Sequence, residues 1–175
     1  MRAVTCACGG CDGGDATHRI LIAGIGNIFL GDDGFGPEVL RHIGPVDPRV
    51  RLTDYGIRGM HLAYDLLAEW DALVLVDALP SQGAPGTVHV FEADHQSLTA
   101  AVGLDAHAMD PATVFASLNA LGGRAPHTVV VGCEVVDVEH RMGLSDVVAA
   151  AVPAAVRTVE DVVAELVIRT PVREG

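Results

Sequence analysis

Short apolar runs, each closed by a glycine or an acid, alternate along this chain with longer segments whose apolar residues recur every three to four positions. Ile20-Leu21-Ile22-Ala23, ending at Gly24, is unbroken, the pattern of a strand buried on both faces in a parallel sheet. Pro37 to Ile43 carries Val39, Leu40 and Ile43 at helical spacing, with Pro37 suited to a first turn. Val50 to Thr53 predicts a second strand, ending at Asp54, and Gly59 to Glu69 a second helix. Ala72 to Val76 is the most apolar strand and ends at Asp77. A loop rich in Gly and Pro follows from Pro80 to Gly86. Thr87 to Phe91 alternates, as an edge strand does. Asp110 to Leu121 predicts a helix, with Pro111 near its start and Gly122-Gly123 past its end. Thr128 to Val131 is another buried strand. Ser145 to Ile168 predicts a long helix, capped by Ser145 and expected to bend or break near Pro153.

Strands alternating with helices predict an α/β fold, a three-layer α/β/α sandwich with a mostly parallel sheet. The 175 residues suit a single domain and bury enough surface to need no disulfide or metal. Residues 1–18, rich in Gly, Asp and Cys, lack periodicity and read as a mobile tail before an α/β domain spanning 19–170.

Charge narrows the function. All 11 basic residues are Arg, and 23 acids set the net charge at −12. The absence of Lys excludes a P-loop lysine, a Schiff-base lysine and a Ser-Lys dyad. Such an acidic chain is a poor partner for nucleic acid, which needs a basic face. The longest apolar run, Val147 to Val156, holds Pro153 and is half the length of a membrane span, about 20 residues. The N-terminus has no apolar core of a secretory signal, so a cytoplasmic location is expected. Cys6, Cys8 and Cys11 crowd in the tail and Cys133 sits in an apolar strand, which is no disulfide framework. The three tail cysteines have metal-like spacing, and His18, Asp12 or Asp15 would complete a zinc site. They lie outside the folded unit and carry no functional assignment here.

In folds of this class ligands bind beyond the carboxyl ends of the strands, where strand order reverses. Gly24-Ile25-Gly26-Asn27 and Gly31-Asp32-Asp33-Gly34-Phe35-Gly36 follow the first strand. Asp54-Tyr55-Gly56-Ile57-Arg58-Gly59 follows the second, and Asp77 the third. A later polar segment holds His107 just before a helix. Two carboxylates and an imidazole suit a divalent transition metal with positions left open for substrate. The competing reading of Asp32 and Asp33 is capping of the following helix. Asp77 is harder to explain so simply, because an acid ending a very apolar strand is costly to bury without a partner. Arg58 suits a carboxylate anchor or a solvated loop.

Other site classes fit poorly. Gly24 and Gly26 match two glycines of a dinucleotide fingerprint, but Phe29 stands where the third belongs. The four serines form no Gly-x-Ser-x-Gly elbow, and no His-Glu-x-x-His occurs. A paired-carboxylate aspartic protease takes one acid from each of two lobes, and this chain is too short for both.

Taken in order, these segments resemble the hydrogenase maturation proteases, the endopeptidases that process the large subunit of nickel-iron hydrogenases. The opening Gly-rich motif, Asp54 to Met60, Val74 to Ala78, Ala84 to Thr87, Gly132-Cys133-Glu134 and Gly143-Leu144-Ser145 carry the likeness, over about residues 19–168. It implies an α/β/α sandwich acting as a monomer or loose dimer. It also implies Asp33, Asp77 and His107 as catalytic and metal-contacting residues, with His95 as the fallback histidine. Asp54, Gly56 and Arg58 fall in the segment expected to hold substrate, and Tyr55 and the Pro80–Gly86 loop are further expected specificity elements. The implied reaction removes a C-terminal extension from the large-subunit precursor once nickel, carried by the precursor, is in place. Two alternatives are a non-catalytic nickel-sensing chaperone of the same subunit and a nucleotide-binding α/β enzyme.

Overall fold

The computed structural model describes residues 19–93, 111–136 and 138–169. His107, His95, Cys6, Cys8 and Cys11 lie outside the described residues. The described chain forms strands β1 (Ile20–Ile25), β2 (Val50–Gly56), β3 (Ala72–Leu79), β4 (Val88–Ala93) and β5 (His127–Glu134). A 3-10 turn at Gly31–Gly34 leads into helix α1 (Phe35–His42), and α2 (Gly59–Asp65), α3 (Pro111–Ala120) and α4 (Asp146–Arg169) complete the set.

The strands join one sheet in the order β2-β1-β3-β5-β4. β1 pairs in parallel with β2 and β3, β3 in parallel with β5, and β4 runs antiparallel on the edge. The alternation expected of Thr87 to Phe91 is that of a half-exposed edge, and β4 is one. Strand β1 is buried along its whole length, as its unbroken apolar run predicts. Its side chains divide by period two. Ile20 and Ile22 pack with Val74, Val76 and the inner faces of α1 and α4. Leu21, Ala23 and Ile25 pack with Leu73, Leu75, α2 and α3 on the other face. These two cores make the three layers of a single α/β domain.

The switch in strand order falls between β1 and β3, because the chain leaves β1 for β2 on one side and returns to β3 on the other. Helix α1 packs directly above this point. A Cβ at Gly36 would collide with the carbonyls of Ile25 and Val76, so only glycine lets α1 sit on both strands.

The last helix does not break at Pro153 but runs through it. Proline removes one N–H, to which the Ala149 carbonyl would otherwise be bonded. Ala149 and Pro153 are both exposed, so that carbonyl lies on the solvent side of the helix. Ser145 caps the helix as expected, its Oγ accepting from Val148 N–H at 3.4 Å. Among the described residues no helix is long and apolar enough to cross a membrane.

Candidate active site

The carboxyl edge of the sheet gathers the acids. Asp33 stands on the 3-10 turn after β1, half-buried, and the turn lies beside β3. Its Oδ2 accepts from the Asn27 N–H at 2.6 Å, which folds the Gly26–Asp33 loop back on itself. Gly26, at φ 128°, makes that return possible, since a Cβ there would collide with the Asp33 carbonyl. Asp77 is half-buried in β3 opposite Gly132, with Oδ1 accepting from Ala78 N–H at 2.8 Å. Strand periodicity gives it the face of Leu73 and Leu75, towards α2 and α3.

The two neighbouring acids of the opening motif have opposite roles. Neither caps α1, whose N-terminus has no side-chain cap, and the capping expectation is corrected accordingly. Asp32 is fully buried and points across the molecule. Its Oδ1 accepts from Ser145 N–H at 2.5 Å, and its Oδ2 from Ser145 Oγ at 2.9 Å and Val136 N–H at 3.0 Å. Arg141 adds a charge 3.6 Å from Oδ1. Asp32 thus ties the turn bearing Asp33 to the exit of β5 and the start of α4. Gly31 N–H bonds the Arg141 carbonyl at 2.8 Å beside it.

The exit of β2 is a separate local knot. Asp54 Oδ1 accepts from Gly56 N–H at 2.8 Å. Arg58 donates to the carbonyls of Tyr55 at 3.1 Å and Asp54 at 2.7 Å. Gly26 N–H reaches the Gly56 carbonyl at 3.1 Å, so Asp54, Gly56 and Arg58 adjoin the Asp33 loop. Arg58 remains exposed while stitching the strand end. Tyr55 is the exception. It is buried, and its hydroxyl donates to Asp65 Oδ2 at 2.6 Å. Burial first, and then that bond, raise its pKa far above the ordinary phenol value. Tyr55 is a core residue that locks β2 to α2, not a surface that reads substrate.

Glu134 is an acid the sequence reading did not single out for a role. It ends β5, is buried, and accepts from Gln82 N–H at 2.8 Å and Ala84 N–H at 3.0 Å. His89 Nε2 lies 2.8 Å from its other oxygen. The two backbone donors, then the histidine, hold its pKa below the ordinary glutamate value. Glu134 pins the Pro80–Gly86 loop beyond β3. The signal lies in the sequence, since an acid closing an apolar strand demands a partner, as at Asp77. Cys133 beside it is fully buried, and burial pushes its thiol up to about 11, so it is unreactive at neutral pH.

Among the described residues no three His, Cys, Asp or Glu side chains cluster to hold a metal. Of the acids the sequence singles out, Asp33 and Asp77 stand on two elements in contact at the switch point, the 3-10 turn and β3.

A family model described as hydrogenase maturation protease matches residues 38–162. The chain belongs to the hydrogenase maturation protease family. By that membership it is a peptidase. The HupD hydrogenase expression/formation protein of Rhizobium leguminosarum is 31% identical over 145 residues, covering 80% of this chain and 71% of that one. The hydrogenase 2 maturation protease of Escherichia coli is 30% identical over 147 residues, covering 81% and 88%. The structure of the E. coli hydrogenase maturating endopeptidase HybD superposes with a TM-score of 0.73 at 27% identity, over 84% of this chain and 93% of that one. The [NiFe] hydrogenase maturation protease HybD of Thermococcus kodakarensis gives 0.66 at 26% identity, over 83% and 99%. These likenesses favour neither the chaperone nor the nucleotide-binding alternative.

Proposed function

We propose that this family member is the endopeptidase that removes the C-terminal extension of a nickel-iron hydrogenase large-subunit precursor after nickel insertion. It acts in the cytoplasm as a monomer or loose dimer. The observation that carries the reading is the pair Asp33 and Asp77, half-buried acids on separate elements at the switch point of the sheet. Asp33 Oδ1 has no hydrogen-bond partner among the described residues, which leaves it available to a ligand. Helix α3 supports the histidine. A short turn joins α3 to the amino end of β5, so its first residue, Pro111, faces the carboxyl edge. His107 precedes Pro111 by four residues in sequence.

Two carboxylates and an imidazole form a donor set suited to a divalent transition metal. The nickel belongs to the precursor and supplies polarisation of the scissile carbonyl. Asp33, Asp77 and His107 hold the metal-bearing segment so that this carbonyl lies beside it. A carboxylate takes the proton from the attacking water and returns one to the leaving amine as the C–N bond breaks. Asp54, Gly56 and Arg58, adjoining the Asp33 loop, hold the chain leading to the cut.

Intact-mass spectrometry of nickel-loaded and nickel-free precursor, each incubated with the wild-type chain and with Asp77→Asn, tests this. The expected outcome is loss of one C-terminal peptide, only from the nickel-loaded form and only with wild type, with the variant's circular dichroism unchanged. Equal cleavage of both forms, or full cleavage by Asp77→Asn, overturns the mechanism.

A further inference from the structure

A groove of about 750 Å³ runs between α1 and α4 and opens onto the carboxyl edge at Gly31 and Gly34, the turn that carries Asp33. Both helices start at that edge and run away from it, so the groove has a site end and a far end. Ile28 and Met142, 46% and 71% exposed, flank the site end. Val152, Pro153 and Val156 form an apolar floor. Arg41 and Arg157 line the far end, with Glu38. Arg41 is bonded to Glu38 at 3.3 Å and is 76% exposed, and Arg157 makes no ion pair among the described residues. The far end therefore carries net positive charge on a chain of net charge −12. From Gly34 to Arg41 the helix rises roughly 10 Å, the length of about three extended residues.

We propose that this groove is the docking channel for the protein substrate beside its scissile bond. It takes an extended segment with apolar side chains over Val152, Pro153 and Val156 and an acidic side chain at Arg41 and Arg157. The assignment rests on the endopeptidase reading above. Charge complementarity selects the occupant. A second copy of this acidic chain, or a nucleic acid, would need a broad basic surface, whereas two arginines at the end of an apolar trough match one acid on a short peptide. Continuity with the Asp33 turn ties the channel to the cut and not to a remote partner.

Steady-state cleavage of nickel-loaded precursor by the full chain tests it. The doubly reversed Arg41→Glu/Arg157→Glu chain is compared with wild type, with Arg41→Lys/Arg157→Lys, and with Arg124→Glu/Arg169→Glu. The last pair is exposed, lies outside the groove and changes net charge equally. The expected result is a KM raised about tenfold with kcat retained in the groove reversal. The lysine pair should stay near wild type, and the control should rise far less. Equal rises in both reversals would trace the effect to overall charge and overturn the channel. An unchanged KM in a groove reversal with wild-type circular dichroism would do the same. If the wild-type chain cleaves nothing, the endopeptidase reading fails and the channel falls with it. If wild type cleaves and only the groove reversal behaves as wild type, the channel alone is wrong.

Discussion

Replacing Asp32 by Ala should be among the most damaging single substitutions outside the hydrophobic core. The carboxylate is fully buried and accepts from Ser145 N–H, Ser145 Oγ and Val136 N–H, with Arg141 nearby. Alanine takes the acceptor from two part-buried backbone N–H groups, each costing about 1–3 kcal/mol. The Ser145 hydroxyl can rotate towards another acceptor and adds little. Arg141 is 43% exposed and is discounted to under about 1 kcal/mol by solvent screening. The expected loss is about 3–5 kcal/mol, the range for removing one member of a buried charged network. Urea unfolding followed by Trp70 fluorescence measures it. Trp70 is the single tryptophan, and its indole N–H bonds the Asp65 carbonyl at 2.8 Å. With a slope of about 2 kcal/mol/M, the midpoint should fall by about 2 M. Ser145→Ala should cost about 1 kcal/mol as a lost cap, and the double variant should lose less than the sum. A midpoint shift below about 0.5 M for Asp32→Ala would refute the claim that this carboxylate clamps the two loops.

Glu134→Gln should show a stability deficit that depends on pH. The folded-state pKa is depressed, so the carboxylate's contribution is complete above the ordinary glutamate range, about pH 4.3. It fades as pH falls through the lower folded value. Urea midpoints of wild type and variant at pH 7 and under stronger acid should converge on acidification, and a deficit that grows instead would be the wrong sign. Gly36→Ala should lower stability by about 1–3 kcal/mol through overpacking against the Ile25 and Val76 carbonyls. A thermal midpoint equal to wild type would contradict that close approach. Tyr55→Phe should cost about 0.5–1.5 kcal/mol from the lost Asp65 bond while leaving KM for the precursor unchanged. A raised KM would restore Tyr55 to the substrate surface.

The sheet was legible because burial on both faces leaves nothing ambiguous in runs such as Ile20–Ala23 and Ala72–Val76. Period and length decided them before any long-range contact was considered. The position of Asp77 was legible for a related reason, since an acid closing a buried apolar run lies towards the carboxyl edge; Asp33, eight residues beyond β1, was legible only through the glycine-rich loop that follows that strand. What stayed hidden depends on partners distant in sequence. Asp32 bonds residues 104 and 113 positions away, and no local pattern distinguishes such a clamp from a cap. Tyr55 looked like a loop residue next to Gly56, and only the position of Asp65 on α2 shows it turned inward. The break that Pro153 offered as one outcome does not occur, for the opposite reason. The local rule for proline is strong, but the Ala149 carbonyl that it leaves without a donor lies on the solvent side of the helix.

Asp32 and Asp33 share residue type, turn and neighbourhood, and the fold separates their functions by direction alone. On the proposed reading Asp33 keeps an oxygen for a ligand, and it is half-buried with only Oδ2 bonded among the described residues. Such a group is poorly fixed by its own contacts, because a single hydrogen bond contributes about 1 kcal/mol. The turn therefore needs rigidity from elsewhere, and the next residue towards the N-terminus supplies it by satisfying both of its oxygens in the interior. Asp77 follows the same logic by different means, being held in β3 beside Gly132 of β5, one residue past the last β1 partner, Val76. Preorganisation of the two acids thus comes from a buried clamp in one case and from the sheet in the other. An Asp32 variant that still folds should consequently place Asp33 loosely and cleave with reduced kcat, whereas one that cleaves at the wild-type rate would show that the turn is rigid without its clamp.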